Sequence, residues 1–110
     1  MLPDRYDLSI PDNQRKLEAA DALGVLAEKH GISLVHMAIA FVIRHPAVTA
    51  AIIGPRTMDQ LESQLGAVDL DLSDEILDAI DEIVPPGVTL HEADRGYDPP
   101  AITEATRRRR

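Results

Sequence analysis

The chain has 110 residues, 45% of them hydrophobic, no Cys, and a formal charge of −8. That length bounds it to one domain with a modest core, and the missing Cys excludes disulfides and zinc–thiolate sites. The negative charge, with only 3% aromatic residues, argues against nucleic acid as a partner.

The longest strongly apolar segment, 37–43, is far too short to cross a bilayer. Met1-Leu2-Pro3-Asp4-Arg5 lacks the basic start and apolar run of a secretory signal. The expectation is a soluble cytoplasmic protein with no membrane partner.

In chain order, residues 1–11 read as a loop. A first helix is expected over 12–30, with Leu17, Ala20, Leu23, Leu26 and Ala27 on one face and Pro11 tolerated in or before the first turn. Lys29 and His30 suit the negative end of the dipole, and Gly31 supplies a left-handed stop. Gly24, inside this helix, suggests close packing against a neighbour. Ser33 is the expected cap of a second helix over 34–45. There Leu34, Met37, Ala38, Phe41 and Val42 share one face, while Val35, Ile39, Ala40 and Ile43 fill most of the other. A helix apolar nearly all round is expected to be buried on several sides.

Pro46 ends that helix, and the β-branched run 48–53 reads as a short buried strand. Thr57 and Gln60 form a T-x-x-Q capping box opening a third helix, with Met58, Leu61 and Leu65 inward and Gly66 as its stop. Ser73 caps a fourth, whose inner stripe is Ile76, Leu77, Ile80, Ile83 and Val84 before Pro85-Pro86-Gly87 breaks it. Residues 88–110 are Pro-rich, charged and aperiodic, and read as an extended tail ending in Arg107 to Arg110. A basic tail of that kind is more often solvated than a binding element. The fold class is therefore mainly α with one short strand. A lone strand has no ladder partner, so either another copy supplies one or the strand belongs to a larger sheet.

The junction Ile52-Ile53-Gly54-Pro55-Arg56-Thr57-Met58-Asp59-Gln60-Leu61 carries the chemical signal. A strand ending in Gly, an Arg, and a capped helix start together make a place for an anion. Free N–H groups at a helix N-terminus attract phosphate, and a guanidinium can clamp it with two donors. The plain alternative is a capped helix beside a solvated Arg.

The run from Leu34 to Gly54, followed by Pro55-Arg56-Thr57-Met58-Asp59-Gln60-Leu61-Glu62-Ser63-Gln64-Leu65-Gly66-Ala67, closely resembles the carboxy-terminal part of the aldo-keto reductases. The likeness continues through Leu72-Ser73-Asp74-Glu75 and Ile80-Asp81-Glu82-Ile83 to Pro86. Upstream, Arg5-Tyr6-Asp7-Leu8-Ser9 and Asn13-Gln14-Arg15-Lys16-Leu17 also look like bacterial members. The resemblance implies a (β/α)₈ TIM barrel that uses NADP(H) to interconvert small carbonyls and alcohols. In this chain it implies the last strand–helix unit with flanking helices, residues 12–87, incomplete on its own. It implies cofactor-binding roles for Gly54, Arg56 and Thr57 at the adenosine 2′-phosphate, with Gln60 and Gln64 contacting that phosphate and the adenine. Two positions depart from the family pattern. Pro55 stands where Ser or Ala is common and has no N–H to donate, and Gln64 stands where Asn is usual.

The resemblance also implies what the chain does not carry. The family's catalytic Asp, Tyr, Lys and His lie in the first half of the barrel. Tyr6, Tyr97, Lys16, Lys29 and the four histidines match none of them, so no catalytic residue is assigned and the isolated chain is expected to be inactive. His30, His36 and His45 lack a metal-binding spacing. The acidic run Asp69, Asp71, Asp74, Glu75, Asp78, Asp81 and Glu82 lacks the EF-hand pattern, so no metal is expected. The alternative reading is a non-enzymatic truncated chain that self-associates or binds a partner through 34–43 and the unpaired strand.

Overall fold

The computed structural model describes residues 3–97, so the Arg107 to Arg110 run lies outside the described residues. Four α-helices follow a single 3₁₀ turn at Pro3–Tyr6: α1 (Pro11–Lys29), α2 (Leu34–Ile43), α3 (Met58–Leu65) and α4 (Asp74–Ile83). Further 3₁₀ turns run over Gly66–Asp69 and Glu92–Asp94.

The local stops act as their chemistry requires. Gly31 sits at φ 65. Its N–H donates to Glu28 O at 3.0 Å and that of Ile32 to Ala27 O at 2.9 Å, which together close a Schellman motif on the last carbonyls of α1. Ser73 Oγ accepts from the Ile76 N–H at 3.4 Å and caps α4. Ser33 is in the N-cap position of α2, but its hydroxyl makes no capping bond. Gly66 does not stop α3 by a left-handed turn; at φ −62 it leads on into the 3₁₀ turn.

The core gathers where α1, α2 and α4 meet. Ala27, Met37, Ala40, Leu72, Ile76, Leu77 and Ile80 are buried together, with Leu23, Leu26, Ile32, Phe41 and Leu70 packed around them. At roughly 1.5–3 kcal/mol per buried Leu, Ile or Met, these side chains carry most of the hydrophobic stabilisation. The α4 stripe matches the sequence reading at Ile76, Leu77 and Ile80, with Ile83 and Val84 half-buried. On α1 the inner face shifts toward the C-terminal half, because Leu17 and Ala20 are exposed. Gly24 makes no close approach. A Cβ there would stand 3.9 Å from Leu34 Cδ2, an ordinary contact.

Three expectations are corrected. The run 48–53 is not a strand; no described residue is in one. A β-branched run gains its ladder only from a neighbouring strand, and none is present, so Ile52 stands fully exposed. Helix α2 is not buried on several sides. Met37 and Ala40 are covered, while Leu34, Val35, Ala38 and Val42 are exposed, since α1, the 66–69 turn and α3 reach part of its circumference. On α3, Met58 and Leu65 do not point into a core, being 65% and 58% exposed. That helix touches α2 and the following turn but buries no residue of its own.

Within the span read as an extended tail, residues 88–97 hold one 3₁₀ turn. This places Asp94 against the start of α1.

Candidate functional site

The junction before α3 is built by local hydrogen bonds. Thr57, with extended backbone at φ −131 and ψ 161, is the N-cap, and its Oγ1 accepts from the Gln60 N–H at 3.3 Å. Gln60 reaches back in turn, but one residue further than a standard capping box. Its Oε1 accepts from the Arg56 N–H at 2.8 Å, not from Thr57. The pair fixes the backbone of Arg56 against the first turn of α3 with side chains that are themselves exposed.

Two consequences follow for an anion. The N–H groups of Met58 and Asp59 stand at the open end of α3 with no partner among the described residues, where the helix dipole is positive. The Arg56 guanidinium is exposed and makes no ion pair or hydrogen bond among the described residues, so it is available to an incoming group. Asp59 in the same turn opposes an anion, though as an exposed side chain it can swing aside.

Gln64 belongs to a second environment, about one turn beyond Gln60. It is half-buried, and its Oε1 is shielded from solvent without a hydrogen-bond partner. Together with Gly54, Ile52 and Ile53 it lines an open cleft of about 390 Å³ against Leu34, Val35 and Ala38 of α2. The five residues picked out in the sequence thus form two groups. Arg56, Thr57 and Gln60 make an exposed cap, and Gly54 and Gln64 border an apolar cleft beside it. No Cβ-sized obstacle surrounds Gly54, and its φ is not positive, so Gly is not demanded there by the backbone.

Sequence reasoning missed two polar arrangements, both at the start of α1. Asn13 is only 2% exposed, and its Nδ2 donates to Asp4 O at 2.7 Å and Asp7 O at 2.8 Å, stapling the first turn of the chain to α1. An Asn inside the first turn of a helix is the available signal, since such a side chain competes for nearby backbone groups. The second is Asp94, which joins Lys16 at 2.9 Å and Arg5 at 3.1 Å. Nothing in the local sequence marks it, because Lys16 and Asp94 are 78 residues apart.

His36 takes a structural place. Its Nε2 lies 2.6 Å from Ser63 O, and because a carbonyl only accepts, that nitrogen carries the proton and ties α2 to α3. His45 accepts from the Ala47 N–H at 3.1 Å through Nδ1, in the turn that follows α2. Among the described residues no group of three His, Asp or Glu side chains converges as a metal site.

The model of the aldo/keto reductase family matches residues 2–85, more than three quarters of the chain. The chain belongs to that family. This aldo/keto reductase chain is 38% identical over 58 residues to protein Tas of Escherichia coli K12, a match covering 53% of the chain and 17% of Tas. It is 41% identical over 69 residues to the uncharacterized oxidoreductase YrpG of Bacillus subtilis, covering 62% of the chain and 21% of YrpG. The matched stretches thus span about a fifth of those relatives. No solved structure matches. The family-matched region contains the whole junction from Ile52 to Gln64 and ends at the Pro85 turn.

Proposed function

We propose that this chain is the carboxy-terminal, cofactor-binding part of an NADP-dependent aldo-keto reductase of the cytoplasm. The parent enzyme transfers hydride between the nicotinamide and a small carbonyl or alcohol, and this part holds the adenosine 2′-phosphate. The observation that carries the reading is the exposed Arg56 guanidinium, without a partner among the described residues, whose backbone is fixed by Gln60 at the open N-terminus of α3. A dianionic phosphate placed there meets two free N–H groups, a dipole of the right sign and a planar donor fork. Thr57 and Gln60 shape the turn, Gly54 borders the neighbouring cleft, and Gln64 offers an unsatisfied amide oxygen there. None of these groups is a proton donor suited to reducing a carbonyl. The reading therefore assigns catalysis to the family's Asp, Tyr, Lys and His, which this chain does not supply, and the isolated chain is inactive.

The test is Arg56→Ala in the full-length enzyme. NADPH presents a phosphate that NADH lacks, so NADPH affinity should fall by roughly tenfold or more while NADH affinity barely moves. Equal losses for both cofactors would remove the role assigned to Arg56.

A second reading has its own observation. Ile52 is fully exposed in a run without ladder partners, and α2 leaves Val35 and Val42 bare. A chain with such surfaces is suited to self-association. Light scattering on the 110-residue chain decides it: a stable monomer at high concentration counts against this reading.

A further inference from the structure

Helix α4 ends without the groups that ordinarily close a helix. The Val84 N–H donates to Ile80 O at 2.9 Å, and the next two positions are Pro85 and Pro86, which have no N–H to offer. The carbonyls of Asp81, Glu82 and Ile83 therefore accept no hydrogen bond among the described residues. No basic residue stands in the last turn either. Asp81 and Glu82 are there instead, so side-chain charge and helix dipole have the same sign. By contrast, α1 closes on the Gly31 motif and has Lys29 in its last turn.

An apolar cleft of about 460 Å³ adjoins this negative end. The chain reverses through Pro85-Pro86-Gly87-Val88, with the Val88 N–H on Pro85 O at 3.1 Å and Gly87 at φ 77. That turn forms one wall of the cleft, and Leu23, Met37 and Phe41 belong to the others. Among the described residues that line it, Asp81 alone is charged. Asp81 stands four residues after buried Leu77 and three before Val84, which also lines the cleft, so the three share one side of α4. It is half-buried, and its carboxylate has no ion pair or hydrogen bond among the described residues.

We propose that this cleft binds a small organic cation, an ammonium head on an apolar body. The head sits at Asp81 and the end of α4, and the body lies between Met37, Phe41 and Val88. Small-molecule sites run to roughly 300–1,000 Å³, with apolar walls and a few polar groups that fix orientation. The cleft has that size and that composition. A neutral apolar guest would cover a carboxylate without giving it a partner. An anion would meet Asp81, Glu82 and the negative end of the dipole together. A monocation satisfies the carboxylate and the open carbonyls while its body takes the apolar walls. The inference concerns this chain's own residues and does not depend on the cofactor reading.

Titration of the 110-residue chain at pH 7, followed by amide NMR shifts, tests this with three probes of one shape. These are 2-phenylethylammonium, neutral 2-phenylethanol and anionic 3-phenylpropanoate. At low salt the ammonium should bind roughly fivefold more tightly than the alcohol, as one partly exposed ion pair allows, and the carboxylate most weakly. Shifts should gather over residues 80–88, and the margin should shrink at about 1 M sodium chloride. Asp81→Asn should bring the ammonium down to the affinity of the alcohol. Glu82→Gln, at an exposed residue outside the cleft, should keep most of the preference. Ala38→Trp, in the cleft wall, should weaken ammonium and alcohol alike. No binding of the ammonium overturns the proposal, as does equal affinity for ammonium and alcohol. An equal loss in Glu82→Gln and Asp81→Asn also overturns it, because the preference would then belong to the overall charge. If Asp81→Asn loses helical content, the salt series on the native chain and Ala38→Trp decide it.

Discussion

Helices α2 and α4 have equal length and opposite fates. α4 carries Asp74, Glu75, Asp78, Asp81 and Glu82 among its ten residues, yet buries Ile76, Leu77 and Ile80. α2 has no Asp, Glu, Lys or Arg, yet buries only Met37 and Ala40. The difference teaches that a one-sided apolar stripe is satisfied by one neighbouring surface, whereas an all-round apolar helix needs neighbours on every side. α4 finds its surface on α1. The described residues give α2 a covering on part of its circumference, and the junction with Arg56 lies on that less-packed side. Its residues are consequently placed by capping bonds rather than by burial.

The largest expected effect breaks the comparison at its strongest point. Leu77→Ala, at a side chain 1% exposed, should cost about 2–5 kcal/mol. Ile52→Ala, fully exposed, should stay within about 0.5 kcal/mol. Urea unfolding of both variants measures the contrast; similar losses would mean that the run 48–53 is packed in solution. Next comes Asn13→Ala, which removes the side-chain donor from Asp4 O and Asp7 O, the latter keeping its bond from the Ile10 N–H. The cost should be about 1–3 kcal/mol, with faster exchange over residues 3–10.

The smallest effect concerns acid. The Lys16 hydrogen bond, helped by charge from His91 and Arg5 and opposed by desolvation, holds the Asp94 carboxyl below the usual carboxylate range. Asp7 is lowered in the same direction by its hydrogen bonds from Ser9. A carboxylate with a depressed folded pKa stabilises fully above its ordinary value near about pH 4, and that contribution is lost as pH falls through the folded value. Asp94→Asn should flatten this acid limb when stability is followed from pH 6 to 2. An unchanged limb would assign the acid sensitivity elsewhere.

The parts of this structure that follow from neighbouring residues were legible in the sequence. Gly31, Ser73, Thr57 with Gln60, and the Pro85-Pro86-Gly87 break all set their helix ends through contacts a few residues long. The strand over 48–53 did not form for the opposite reason, because a ladder is a property of two segments and no second one pairs with it among the described residues. The same limit hid the Asp94–Lys16 ion pair, whose members are brought together across 78 residues. For the candidate site, the cap around Arg56 could be read from T-x-x-Q alone. The departure of Gln60 to the Arg56 N–H is a matter of local geometry that the motif does not specify, and the unsatisfied Gln64 oxygen needed the neighbouring helix in place.

Gly31 has a reach well beyond the end of one helix. The corner it makes sets α1 and α2 at 97°, and only at such an angle does Ala27 of one meet Met37 of the other within the same molecule. A side chain in its left-handed conformation costs about 1–2 kcal/mol. Were the two helices to run on as one rod, each would carry half a core outward, to be completed by the complementary half of another copy. A side chain at residue 31 would therefore strain the corner by which one chain closes its own core.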